Sequence, residues 1–189
     1  MKQTFATTLL VAGLLAAPLH ADAVDDALNA ALAAHAAGDL STTAAQITVA
    51  GKEVQALQSA KLAAMLPEAP EGWSREVNTD GAQGMAMMGM SGNMVEARYT
   101  SAAGDSFILT LTADSPIVAS MAGMLGTPQM MAMMGKIVKA GSQDMLEQDG
   151  SLSALAGGRV LVQAQGMESA AMLPVLATLD FARLPAYDK

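Results

Sequence analysis

The chain has 189 residues, no cysteine, 10 Lys and Arg against 18 Asp and Glu, and a formal charge of −8. That balance argues against nucleic acid or an anionic membrane as a partner, since either would call for a basic footprint. The missing cysteines exclude disulfides, thiol catalysis, thiolate metal ligands and a lipid-modified cysteine anchor.

In chain order, residues 1–23 read as a signal peptide. Lys2 supplies a short basic start, Phe5 to Leu19 an apolar run broken by Pro18, and Ala21-Asp22-Ala23 a small-residue cleavage site. Cleavage is expected after Ala21 or Ala23. The apolar run is shorter than the roughly 20 residues that cross a bilayer, so a cleaved leader is expected and no transmembrane segment after it. The expected location is the periplasm or the exterior. Loss of Lys2 and Asp22 together leaves the charge at −8.

Residues 24–66 are rich in Ala, Leu and Gln, and carry two helical patterns. Ala27, Leu28, Ala31, Leu32 and His35 mark one helix face, and Leu40, Ala44, Ile47, Val54, Leu57 and Met65 a second, which stops at Pro67. Gly38 suits the end of the first helix and Asp39 or Ser41 the cap of the next, so an antiparallel helical hairpin is expected. The stretch Ala31 to Ile47 resembles one tetratricopeptide-type unit. A lone unit cannot bury its own faces, which implies packing on the rest of the chain or self-association through the hairpin.

Residues 67–73, with Pro67 and Pro70, form a connector that disfavours helix. Over residues 74–189 the pattern changes. Val95, Ala97 and Tyr99 alternate with Glu96 and Arg98, and Phe107, Leu109 and Leu111 alternate beyond the turn Ala103-Gly104-Asp105, which predicts a β-hairpin. Asp114-Ser115-Pro116 starts a helix reaching about Gly126, with its pattern resuming from Met130 to Met134. Three short strands follow, turned at Asp149-Gly150 and Gly157-Gly158, with Val160, Val162 and Ala164 facing inward. A helix around Met172 to Leu179, kinked or started at Pro174, ends the pattern. The fold class is therefore α+β: a helical hairpin, then an antiparallel sheet in the order ββα-βββ-α with helices on one face, and Trp73 over a core edge.

The helical hairpin, the motif Leu66-Pro67-x-Ala69-Pro70-x-Gly72-Trp73, the Tyr99 strand and Asp114-Ser115-Pro116 together resemble a group of exported proteobacterial proteins of uncharacterised function. The resemblance implies export and this fold, and brings no catalytic or binding residues.

Methionine is the compositional oddity, with 16 in the chain, eleven of them in two clusters. Met85, Met87, Met88, Met90 and Met94 are expected in a Gly-rich loop, Gly84 to Gly92. Met130, Met131, Met133 and Met134 follow the helix that holds Met121 and Met124. Thioethers are soft ligands that suit Cu(I) or Ag(I), so these nine residues are the candidate metal ligands, in a copper-tolerance role. Against this stands methionine as adaptable core filler. An enzymatic reading, such as a hydrolase, would have to use His35, and the carboxylates Asp144, Glu147, Asp149, Glu68 and Glu71 read as solvated surface. The first expectation is thus a non-enzymatic binding or interaction protein.

Overall fold

The computed structural model of the protein describes residues 19–87 and 89–189, the side chains of 19–21 aside. The expected leader lies almost wholly outside these residues, as does Met88. Two compact units are present, and the division falls inside a helix, between Glu53 and Val54.

In the first unit, α1 (Leu19–Ala36) is followed by α2 (Leu40–Ala63), which continues into the second. Gly38 takes the left-handed conformation that ends α1 (φ +77°). Asp39 then caps α2: its carboxylate accepts from the Thr42 backbone N–H at 3.0 Å and from the Thr42 hydroxyl at 2.6 Å. The expected faces are only half used. Ala27, Ala31 and Ala50 are buried, while Leu28 and Leu32 stand exposed beside them.

The second unit is built on a seven-stranded sheet, antiparallel throughout, in the order β1-β2-β3-β7-β6-β5-β4. The strands are β1 (Ser74–Asn78), β2 (Asn93–Thr100), β3 (Ser106–Ala113), β4 (Lys136–Ala140), β5 (Gln143–Gln148), β6 (Ser151–Ala156) and β7 (Val160–Gln165). The helices are α3 (Gly81–Met87), α4 (Pro116–Leu125), α5 (Pro128–Met134) and α6 (Ser169–Leu176), with a short 3-10 turn at Leu184–Ala186. The α+β class and broad element order match the sequence pattern. Additions are β1, α3 and β4, so the final meander has four strands and not three.

Strand alternation builds the core. Val95, Ala97 and Tyr99 lie opposite Leu111, Leu109 and Phe107, and those opposite Val162, Ala164 and their neighbours, so one face is a continuous apolar band. The last turns of α2 (Leu62), Leu66, α6 (Met172, Val175, Leu176) and the C-terminal Leu184 and Tyr187 cover it. Tyr99 stacks on Phe107 with ring centroids 4.9 Å apart, and Trp73 meets Phe107 edge-on at 6.1 Å, at the margin expected for it. Leu62 and Leu66, which precede the connector, thus belong to the core of the second unit.

The opposite face carries a second helical layer, where helices on one face were expected. Leu146, Leu155 and Leu161 point to this side and pack with Val118 and Leu125 of α4 and Met131 of α5. Ser115 caps α4 by accepting from the Ile117 N–H, Thr127 caps α5 by accepting from the Met130 N–H, and each helix has proline in its first turn. The two helices turn through 90° as the chain crosses from central β3 to edge strand β4. No single helix among the described residues is long and apolar enough to cross a membrane.

Candidate functional site

Met85 and Met87 lie in a helix and Met94 in a strand, while Met90 lies in the short irregular stretch between them. Residues 81–87 are helical, and α3 packs on β2 through Ala82 and Met85, both buried. Gly81 lies so close to Met94 that a Cβ there would sit 2.9 Å from the Met94 side chain, so Met94 is strand and packing surface. Gly84 to Met87 leave the expected Gly84–Gly92 loop for the helix, because burial of Met85 offsets the poor helix propensity of two glycines, and residues 89–92 have no regular secondary structure. Met87 projects into solvent and is 89% exposed, while Met90 is half-buried.

The second cluster is split in the same way. Met131 is buried and Met134 half-buried against Leu146 and Leu161, whereas Met133 is 80% and Met130 43% exposed. The two clusters rest on different strands. α3 lies on β2, and α5 on β4 and β5, so β3, β7 and β6 intervene at roughly 4.8 Å per strand. Of the eight candidate ligands among the described residues, Met130 and Met133 are both exposed and one turn apart on α5.

A feature outside those candidates is the apolar surface of the hairpin helices. Leu28, Leu32, Leu40, Ile47 and Val49 are all exposed, and Leu32 and Leu40 by about two thirds (67% and 69%). Along α2, Leu40, Ile47 and Val54 recur every seven residues and all stand in water. Ala44 and Gly51 fill the alternate seam positions. Apolar residues on a heptad with small residues between them make a stripe suited to close contact with another helix. His35 is exposed in the last turn of α1.

The polar groups in the second unit are tied into structure. Arg159, just past the Gly157-Gly158 turn, forks onto two carboxylates: Nε and Nη2 reach Asp114 at 2.7 and 2.8 Å, and Nη1 and Nη2 reach Asp188, both at 2.8 Å. Its Nη1 also donates to the Pro185 carbonyl, and its guanidinium lies 5.0 Å over the Tyr187 ring. The Tyr187 hydroxyl donates to Asp114 and accepts from Asn93, whose side-chain oxygen takes a hydrogen bond from Ser59 of α2. Hydrogen bonds from Arg159 hold Asp188 down at about 2, and the same guanidinium lowers Asp114. Nothing in the linear pattern marks this centre, because its members are far apart in the chain.

Of the five carboxylates weighed earlier, Glu68, Asp144 and Glu147 are paired with cations. Glu68 meets Arg75 at 2.9 Å, and Asp144 meets Lys139 at 2.7 Å. Glu147 lies 3.0 Å from Lys136 and accepts from the Ser169 hydroxyl at 2.5 Å. That last trio has the residue types of an activated serine. However, the Ser169 hydrogen bond and then Lys136 lower the Glu147 pKa, making it a weaker base. No group of three or more His, Asp or Glu side chains among the described residues could hold a metal ion. A shallow hollow of about 440 Å³ beside β1, lined by Glu76, Asn78, Asp80, Glu96 and Arg98, opens broadly to solvent.

No family model, curated protein or solved structure matches the chain.

Proposed function

We propose that this is an exported, non-enzymatic interaction protein whose helical hairpin docks against another helix, the first occupant being a second copy of the same chain. The observation that carries the reading is the exposed stripe Leu40, Ile47 and Val54, with Ala44 and Gly51 between. Such a stripe is self-complementary, and a two-fold axis would pair it with itself in a closed dimer. The export half of the reading rests on the leader pattern of residues 1–23 and on the resemblance to exported proteobacterial proteins.

Sedimentation of the mature chain across the micromolar range tests the docking. A concentration-dependent dimer is expected, and Ile47→Glu should weaken it by at least about tenfold, because a charge would replace an anchor near the middle of the contact. A chain that stays monomeric throughout overturns self-docking. A photo-crosslinking residue at position 47 that captures a different protein in cells overturns the second-copy assignment.

The second reading, a Cu(I)- or Ag(I)-binding role, is favoured by one observation: Met130 and Met133 are one turn apart on α5 and both open to water. Two thioethers so placed can approach one soft ion without losing a proton. An anaerobic Cu(I) competition titration against a coloured chelator, beside Met130→Leu/Met133→Leu, tests it. Binding lost in the double variant is the expected result, and equal affinity in both proteins sinks the reading.

A further inference from the structure

The methionines sort by depth in a way that neither docking nor metal binding needs. Among the described residues Met87, Met133 and Met130 are exposed at 89%, 80% and 43%. On the same two short helices, Met85 and Met131 are buried, and Met134 is half-buried in the contact between α5 and the sheet. The outer three make little packing contribution, whereas Met131 helps hold α5 against Leu146 and Leu161. With no cysteine in the chain, thioether sulfur is its readily oxidised group.

We propose that Met87, Met130 and Met133 are sacrificial oxidation sites for hypohalous acids, shielding the packed methionines behind them. In the step, the thioether lone pair attacks the chlorine of hypochlorous acid, the Cl–O bond breaks and hydroxide leaves, to be neutralised by one of the two protons released next. Water then displaces chloride from sulfur, and two protons leave. The net change is transfer of one oxygen to sulfur, which loses two electrons, while chlorine is reduced from +1 to chloride. The product is methionine sulfoxide, and a dithiol sulfoxide reductase would return it to the thioether, forming a disulfide and water.

Depth gives the site its function. A sulfoxide at Met87 or Met133 adds a polar oxygen where the side chain already meets water, so the fold tolerates it. A sulfoxide at Met131 would bury that oxygen without a partner and loosen α5 from β4 and β5. The outer thioethers react first and consume the oxidant before the inner ones meet it.

The test is a hypochlorous acid titration of the full chain, in equivalents per protein, read by peptide mass spectrometry and by melting temperature, beside Met87→Leu/Met130→Leu/Met133→Leu. In the wild type, sulfoxide should appear at the three exposed positions before Met131 and Met85, with melting unchanged over that range. The triple variant should lose melting temperature about three equivalents earlier, one per missing exposed thioether. Equal doses in the two proteins, or Met131 oxidised alongside Met133 in the wild type, would overturn the proposal. The wild-type ordering stands as a test even if the triple variant fails to fold.

Discussion

Arg159 shows what one side chain can tie together. Its planar fork satisfies Asp114, at the end of β3, and Asp188, beyond every strand, at once. Arg159→Ala removes charge-assisted hydrogen bonds and leaves two carboxylates facing each other, so a loss of about 1.5–3 kcal/mol is expected from the urea midpoint. Arg159→Lys should recover only a small part, since a point charge cannot match two carboxylates bidentately. The sign of the pH dependence follows. Both carboxylates titrate lower in the folded chain than in the unfolded one. Their stabilisation is therefore fully present above pH 4, and it is lost as pH falls toward about 2, through the folded Asp188 value. In Arg159→Ala that acid-side decline should flatten. The sequence hides this residue because Asp114 and Asp188 are 45 and 29 positions away. Only the spatial meeting of a turn, a strand end and the C-terminal segment reveals it.

At the scale of elements, two of the three hairpin turns of the last meander, those flanking β6, look alike in sequence but differ in tolerance. Gly150 and Gly157 both have positive φ, at 76° and 54°. A Cβ on Gly150 would meet open space, whereas one on Gly157 would overlap the Pro185 ring, which is held nearby by the Arg159 hydrogen bond to its carbonyl. Gly150→Ala should thus cost about 1 kcal/mol, the left-handed penalty alone, and Gly157→Ala about 1–3 kcal/mol more through the clash. Thermal melts of the two variants would rank them. The elements legible in the sequence were those whose own residues declare them. β2 and β3 alternate cleanly, α4 has Ser115 and Pro116 at its start, and the turns carry paired residues suited to positive φ. β1 and β4 were not legible, because Ser74–Asn78 and Lys136–Ala140 are edge strands with little burial to impose alternation. α3 read as loop because its glycines outweigh, in sequence, a packing contact that exists only once β2 is in place.

Across the molecule, the candidate site was legible as composition and not as geometry. The sequence marked the methionines correctly as unusual and grouped nine of them by position along the chain. Helical phase then divides each group: Met85 turns in while Met87 turns out, and Met131 turns in while Met130 and Met133 turn out. The first group, expected as a loop, begins as a helix on β2, several strands from the α5 group on β4 and β5. The hairpin showed the converse. Its apolar periodicity marks helix faces that could pack on the chain or on another copy, and in the first unit alanines occupy the buried positions while the larger Leu28, Leu32, Leu40 and Ile47 remain in water.

The position of the Arg159 clamp in chain order carries a further implication for biogenesis. Tyr187 and Asp188 come after all seven strands, and Leu184 and Tyr187 are part of the buried core. A chain emerging N-terminus first from a ribosome has all seven described strands out before its latch residues appear. Until then Asp114 and Arg159 lack their shared third partner, and the apolar band lacks part of its cover. The Arg159 clamp therefore closes only once Asp188 is available, after all seven described strands.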